Sequence, residues 1–476
     1  MPELQRRHIL AAALLPLSKT LRAADLSSDL PLLRHALTAL HPGLLRYQSM
    51  ADFDRRFAAL QAQWRGDVPA GNAYLALARF LATLRCGHSY ANFYNQKASV
   101  RDSLILSAPR LPLQFRWLGP RMVVTRGQPG LPPGSEVLAL NGVRAARVLA
   151  ALAPCVRVDG HNEAMRASLL SVEGIDGIET FDVFHPLVFG PSPRWTVQAR
   201  LPDGRERRVE LEAIDAAQRQ AERRVPAQAS DDTPLWPVDW RADGTAVLRM
   251  PGWAVYNTRW DWRAYLGRTF ERLAGEGRRG LVIDLRNNEG GLDCGDEIIA
   301  RLIDAPIPYY THMRRTRYQR VPAALNPLLD TWDDGFRDWG DAVVPDGPGW
   351  WRFPADADRR IEPRGPRFRG RVAVIVDSGN SSATLRFADM MQSRRLGVLV
   401  GDTTGGSQRG INGGAFFFTR LPNSGLEFDL PLVGTFARGW RPPTGLRPDI
   451  AVPLRPADLA GETDPVLARA LVAVQP

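Results

Sequence analysis

The chain has 476 residues, a formal net charge of +10, 44% hydrophobic residues and 24% charged residues. This length exceeds what one compact core holds and predicts two or three domains, and the composition excludes a disordered or membrane-embedded protein. The positive charge comes almost wholly from dispersed arginines, because Lys19 and Lys97 are the only lysines. A nucleic-acid-binding protein typically has a basic stripe and a binding motif, and neither is present, so we expect no nucleic-acid partner.

The N-terminus has the pattern of an export signal. The basic segment Met1–Arg7 precedes the apolar stretch Ile9–Leu17, and the small residues Ala23-Ala24 follow, as in a cleaved leader. The pair Arg6-Arg7 is typical of a twin-arginine signal. We therefore predict that residues 1–24 direct export to the periplasm; the alternative is a first helix of the mature protein. No other apolar run approaches the ~18 residues of a membrane span, so we expect no stable membrane insertion.

Residues 25–105 are predicted to form an N-terminal helical domain. A helix over Ala73–Arg85, capped by Asn72 and stopped by Gly87, would place His88 in the turn just beyond it. An earlier helix is indicated by leucines that share one helix face, namely Leu33, Leu37 and Leu40.

Residues 106–217 change to short strands and turns, which predicts a β-rich domain. Val137–Gly142 has the pattern of a strand running into an Asn-Gly turn, and Arg200–Leu211 that of a hairpin around Asp203-Gly204. The polar run 218–232 is predicted to be a linker.

Residues 233–476 alternate strands and helices and predict an α/β domain. Trp262–Leu273 has an amphipathic helical pattern, and residues 306–370 form a long insertion between strands that we predict to cover the substrate. Short apolar runs of the kind that forms buried parallel strands are Leu281–Leu285, Val372–Val376 and Gly397–Gly401.

Three segments carry residue types suited to acyl transfer, namely Arg85–Phe93, Val282–Gly291 and Asp377–Met391. Ser382 follows a buried strand at the start of a predicted helix, where unpaired backbone N–H groups suit an oxyanion. Ala383 N–H is the natural first donor, and Gly290 or Gly291 would supply the second because glycine lets the backbone approach closely. His88 would be the base. Each signal is weak alone, since a helix-start serine is usually a cap, and spacing does not place the segments together.

The order of the motifs GHS, DLRNNEGG, GNSSAT, VGDTTGG and GLRPDI resembles the tail-specific (C-terminal processing) and tricorn-type serine peptidases, over most of residues 28–455. Gly134–Val143 is similar to the PDZ-type segment of many members. The resemblance implies a crotonase-like (ClpP-like) α/β catalytic core, a PDZ-like β-rich domain and peptide or protein substrates. By position it implies that Ser382 is the nucleophile, that Gly290, Gly291 and Ala383 form the oxyanion segment, and that His88 matches the tricorn-type histidine.

Two departures from the family pattern bear on the mechanism. Ser407 stands where Ser/Lys members carry their lysine, and no lysine is near in sequence, which excludes a conventional Ser/Lys mechanism. The glutamate that orients the histidine in tricorn-type members is absent from the stretch before Asp449-Ile450. Glu427 and Asp429 are the substitute candidates.

Three interpretations remain open at this point. The first is an exported Ser/His peptidase, the second a non-catalytic relative that binds peptides or apolar ligands, and the third an esterase. None needs a metal or cofactor, and we expect none. The odd number of cysteines, Cys86, Cys155 and Cys294, rules out a dense disulfide framework, although it allows one bridge. The oligomeric state is not predicted.

Overall fold

The structure is a computed structural model that describes residues 20–225, 229–309, 311–461 and 463–475. Its N-terminal part packs three helices together with a two-stranded pairing. The leucines of the predicted first helix are fully buried, as their common face requires. The elements are β1 (Thr20–Leu21), α1 (Ala23–Leu40), α2 (Met50–Gln63), β2 (Val68–Pro69), α3 (Ala70–Ala82) and the short α4 (Ala98–Val100).

The helix before the GHS motif differs from the prediction at both ends. Asn72 is not its cap, because α3 begins at Ala70 directly after Pro69. The helix ends at Ala82, earlier than the predicted stop at Gly87, and Arg85 beyond it takes a left-handed conformation (φ 54°). His88 nevertheless lies in a turn beyond the helix, as predicted.

The middle of the chain forms an antiparallel sheet with strand order β3-β4-β5-β7-β8. Both predicted turns are confirmed, with φ of 47° at Asn141 and 81° at Gly142, the values that a two-residue hairpin loop needs. The elements are β3 (Gln114–Leu118), β4 (Arg121–Arg126), β5 (Glu136–Leu140), β6 (Val143–Arg144), α5 (Ala145–Leu152), α6 (Glu163–Leu169), α7 (Thr180–Phe189), β7 (Arg194–Arg200) and β8 (Glu206–Glu212).

The segment that we predicted as a linker begins as ordered structure. Helix α8 (Ala216–Ala221) includes its first residues, and Arg219 is buried against Asp182 of α7. Residues 226–228 lie outside the described part of the chain.

The C-terminal half contains a sheet that is parallel apart from one edge strand, with order β22-β19-β18-β11-β10-β9. Its elements, and those of the segments between its strands, are β9 (Val238–Trp240), β10 (Thr245–Arg249), α9 (Trp262–Gly275), β11 (Gly280–Asp284), α10 (Gly295–Ile299), β12 (Ile307–Pro308), β13 (Met313–Thr316), β14 (Leu329–Asp330), β15 (Val344–Pro345), β16 (Trp351–Arg352), β17 (Arg360–Ile361), β18 (Arg371–Val376), α11 (Ser382–Ser393), β19 (Val398–Gly401), β20 (Asn412–Arg420), β21 (Glu427–Phe436), β22 (Ile450–Ala451) and α12 (Pro465–Ala473).

Both faces of this sheet are buried, which explains its apolar strands. Leu281 and Ile283 of β11 pack with α9, α10 and α11 on one face. Val282 of the same strand packs with α12 on the other. The predicted strands and the predicted helix at Trp262 are confirmed.

The insertion 306–370 is not simply a covering loop. Its strands β13, β16 and β15 follow one another, in that order, beside β21 of the long β20–β21 hairpin. Its strand β14 pairs with β20 on the other side of the hairpin. The result is a second six-stranded sheet that includes the insertion. No helix in the described ranges is both long enough and apolar enough to cross a membrane.

Candidate active site

Three loops meet where the parallel strands β11, β18 and β19 end, and Asn380 joins them. Its side-chain amide donates to the main-chain carbonyl oxygens of Leu285 and Asn288. The main-chain carbonyl of Asn380 accepts the N–H groups of Gly405 and Gly406. The carboxyl ends of parallel strands are the usual place for a ligand in such sheets. Asn380, which belongs to the GNSSAT motif, therefore fixes the three loops relative to one another.

Ser382 lies at the sharp turn between β18 and α11. Its φ is +52°, a left-handed conformation that costs a non-glycine residue of order 1–3 kcal/mol and persists mainly at functional sites. Among the residues that the structure describes, none hydrogen-bonds its Oγ. A strained strand-to-helix turn presents a serine hydroxyl to the solvent in other hydrolases, and this geometry suits a nucleophile.

The predicted oxyanion segment packs against this turn. A Cβ atom on Gly290 would lie 2.9 Å from both Ser382 Cβ and Ala383 N, so only glycine fits. Gly290 N–H donates to Asn288 Oδ1 at 2.9 Å and is already used. Within the described ranges, the N–H groups of Gly291 and Ala383 have no acceptor. The structure therefore favours Gly291 over Gly290 as the second donor.

His88 faces the same region from the turn after α3. A Cβ atom on Gly413 would lie 3.8 Å from its Cε1 and Nε2 atoms, and Gly413 and Ser382 line one cavity. Its Nδ1 is buried and has no hydrogen-bond partner among the described residues. Burial lowers the pKa of His88, a shift that Asp159 opposes and Arg157 reinforces. The imidazole is therefore neutral at pH 7, as a general base must be.

His41 shows what a purely structural histidine looks like here. Its Nδ1 accepts the N–H of Gly43 at 3.0 Å, so the ring carries its proton on Nε2 and donates to Ser89 Oγ at 2.8 Å. Burial lowers the pKa of His41 to about 3. Both nitrogens are engaged, and the ring supports the GHS turn instead of serving as a second base.

The other residues singled out from the sequence have structural partners. Ser407 Oγ lies 2.7 Å from the hydroxyl of Tyr47. Asp429 accepts from Asn92 and Asn95, and Glu427 pairs with Arg420. The partners of Glu427 and Asp429 are not His88, and neither carboxylate acts on the His88 pKa. Each cysteine is buried with a free thiol, at Cys86, Cys155 and Cys294.

Sequence analysis missed a segment from the middle of the chain that reaches this site, residues 157–162. Asp159 accepts the N–H of Gly87 at 2.8 Å and the hydroxyl of Ser381 at 2.7 Å. Arg157 donates to the carbonyl of Gly87 and pairs with Glu289. Nothing in this short polar sequence signals catalysis; its position next to the GHS turn is visible only in three dimensions.

A cavity of about 380 Å³ opens beside Ser382. Gly291, Ala383 and residues of the insertion line it. The insertion residues that line it are Tyr309, Thr311, His312, Arg314 and Arg359. In the described ranges no group of three or more His, Cys, Asp or Glu side chains is arranged to hold a metal ion.

A group of aromatic side chains that do not line this cavity lies next to His88. The Phe416 ring lies 5.7 Å from the imidazole, and Trp332 of the insertion lies 5.9 Å from Phe416 and 5.8 Å from Phe418. Trp332 is 59% exposed. The site thus has a cavity with several arginines at Ser382 and an apolar group of rings next to His88.

Comparisons with known proteins agree with this reading of the fold and the motifs. Residues 244–452 match the model of peptidase family S41. The structure of mature CPAF complexed with lactacystin is 15% identical, with a TM-score of 0.62 over 92% of this chain and 95% of that one. A CPAF mutant gives 15% identity and a TM-score of 0.63 over 92% and 94% of the two chains. None of the curated proteins compared with the sequence matches it.

At such low identity, the structural likeness shows a shared mixed α/β fold, whereas the match to the family model indicates peptidase chemistry. Together they define a serine peptidase. The match to peptidase family S41 spans residues 244–452, and the predicted resemblance to the tail-specific peptidases is confirmed.

Proposed function

We propose that this chain hydrolyses peptide bonds through an acyl-enzyme formed on Ser382, with His88 as the general base. The observation that supports this most is the left-handed backbone of Ser382. It directs the hydroxyl into a cavity next to the N–H groups of Gly291 and Ala383, and none of these three groups has a hydrogen-bond partner among the described residues. Structural serines that cap helices are extended and hydrogen-bonded instead.

The reaction follows from the positions of these groups. Ser382 Oγ attacks the scissile carbonyl carbon while its proton passes to His88, and the N–H groups of Gly291 and Ala383 hold the negative oxygen. The C–N bond then breaks, and the departing amine takes the proton from His88. Water repeats the attack on the ester, giving its proton to His88, and Ser382 leaves with that proton as the carboxylic acid is released.

Because His88 protonates the departing amine, the leaving group of the substrate lies on the histidine side of the site. That side is the aromatic surface of Phe416, Phe418 and Trp332. The acyl part then occupies the cavity beside Ser382. We therefore propose peptides with an apolar side chain just after the scissile bond as the preferred substrates.

Several features of the wider chain belong to the same proposal. The parallel sheet with its helices corresponds to a crotonase-like core at 233–476, residues 106–217 to a PDZ-like domain that captures extended peptide, and residues 25–105 to a helical domain. The outer edge of β8 is exposed, as strand addition requires. We also propose export, with residues 1–24 as the signal; residues 1–19 lie outside the described part of the chain.

Kinetics of paired variants test the function. Ser382→Ala and His88→Ala are each expected to lower kcat on an unfolded fluorescent protein substrate at least about a thousandfold. The double variant should be little slower than either single one, because members of one catalytic unit are not additive. Ser407→Ala is the control and should keep most activity, since it removes only hydrogen bonds to the Tyr47 hydroxyl and the Arg409 N–H.

Three results would contradict the proposal. Full activity of folded His88→Ala would exclude His88 as the base. Hydrolysis of small esters without any peptide hydrolysis would indicate an esterase, and no turnover of either substrate by the wild-type chain would indicate a binding protein.

A further inference from the structure

Asp159 joins the two halves of the proposed catalytic pair, although it belongs to neither motif. One carboxylate oxygen accepts the N–H of Gly87, the residue before His88, at 2.8 Å. The other accepts the hydroxyl of Ser381, the residue before Ser382, at 2.7 Å. The side chain is only 2% exposed, and a buried carboxylate is retained at a cost unless hydrogen bonds or opposite charges compensate.

The surrounding segment holds Asp159 in this position by bonds to the GHS turn and to the loops after β11 and β19. Arg157 donates to the carbonyl of Gly87 and pairs with Glu289 of the loop after β11. Asn162 donates to the carbonyls of Thr404 and Gly406 in the loop after β19. Asp159 is therefore fixed relative to the same loops that Asn380 joins.

The GHS turn and the Ser382 turn lie too close to this carboxylate to shift relative to it. A Cβ atom on Gly87 would lie 2.7 Å from Asp159 Oδ2, so the GHS turn packs directly on it. Ser381, in turn, is extended (φ −135°) and leads into the strained turn at Ser382. A shift of Asp159 would move the base and the nucleophile relative to each other.

We propose that Asp159 is a positioning residue, which holds the His88 turn and the Ser382 turn in register and stabilises protonated His88 by its negative charge. The inference rests on the proposed function. The stretch before Asp449-Ile450 lacks a carboxylate that orients the histidine. Asp159, which lies elsewhere in the chain, performs both tasks of such a group: it positions the histidine and stabilises its positive charge. Here the carboxylate acts on the main chain of the histidine turn.

The charged groups around His88 are few. Asp159 and Arg157 come from this segment and Glu289 from the loop after β11, and β20 contributes the uncharged Gly413 and Phe416. Burial lowers the pKa of His88, and Asp159 is the strongest influence in the opposite direction. Removing its charge should therefore lower the pKa of His88 further, and the acid limb of the pH–rate profile should move to lower pH.

Two variants separate the charge from the hydrogen bonds. Asp159→Asn keeps the shape, and its amide can still accept from Gly87 while donating to Ser381, so mainly the charge is lost. Ser381→Ala keeps the charge and removes one bond. The matched control is Asp182→Asn, at another buried aspartate, which pairs with Arg219 and bonds to none of the site loops.

We expect Asp159→Asn to lower kcat about tenfold and to move the acid limb of kcat/KM down by about one pH unit. Ser381→Ala should lower kcat a few-fold at unchanged KM, with the limb in its wild-type place. Asp182→Asn should leave the limb and the kcat of the folded enzyme unchanged.

The proposal is overturned if folded Asp159→Asn has the wild-type kcat and the wild-type acid limb of the kcat/KM profile. It is also overturned if that acid limb moves equally in Asp182→Asn. A wild-type kcat in Ser381→Ala would refute the positioning role even if Asp159→Asn did not fold. These failures differ from failure of the proposed function, in which His88→Ala would stay active.

Discussion

The strained backbone at Ser382 makes a prediction about stability that is separate from catalysis. A left-handed residue with a Cβ atom costs about 1–2 kcal/mol, and glycine avoids that cost but loses about 0.5–1 kcal/mol more backbone entropy on folding. Ser382→Gly should therefore be more stable than Ser382→Ala by roughly 0.5–1 kcal/mol, although both are inactive. In a domain of this size that difference is about 1–3 °C in the thermal midpoint.

Scanning calorimetry of the two variants measures this difference directly. The matched control is the preceding residue, Ser381, whose φ of −135° is open to any residue. There the order should reverse, with Ser381→Gly less stable than Ser381→Ala. If Ser382→Gly were no more stable than Ser382→Ala, the strain argument, and with it the main structural support for this nucleophile, would fail.

Two further predictions concern the same site, and a third concerns export. Gly290→Ala places a Cβ atom 2.9 Å from Ser382 Cβ and Ala383 N and should lower kcat about a hundredfold and reduce the thermal midpoint; Gly275→Ala, with open space around it, should do neither. Because burial lowers the pKa of His88, kcat/KM should rise with pH through a midpoint below about 6.5; a midpoint above 8 would point to another base. Intact-mass measurement of protein exported to the periplasm should show the first twenty-odd residues removed, and retention of Met1 there would contradict export.

Local sequence patterns predicted the parts of the fold that depend on neighbouring residues. The turn at Asn141-Gly142 follows from residues that tolerate positive φ, and the apolar strands around Ile283 follow from burial on both faces. The insertion was harder, because β13 is the polar run Met313–Thr316 and becomes a strand by pairing with β21 and β16. Such pairing with a distant partner leaves no periodic signal in a short segment.

The catalytic candidates were found through motifs, whereas the contacts that position them were not. Ser382 and His88 each lie in a recognisable segment, but the residue that links their neighbours, Asp159, has no motif of its own. Its two partners, Gly87 and Ser381, are far from it and from each other in the chain. Likewise, the hydrogen bond from Gly290 N–H to Asn288 depends on the conformation of the loop. The presence of glycines in the sequence does not determine that conformation.

Active-site labelling tests the central claim most directly. The wild-type protein would be treated with a fluorophosphonate, which phosphonylates an activated serine, and the modified peptide would be located by mass spectrometry. We predict a single adduct on Ser382, absent in Ser382→Ala and formed much more slowly in His88→Ala. Absence of an adduct on the folded wild-type protein, or an adduct on Ser381 or Ser407 instead, would contradict it.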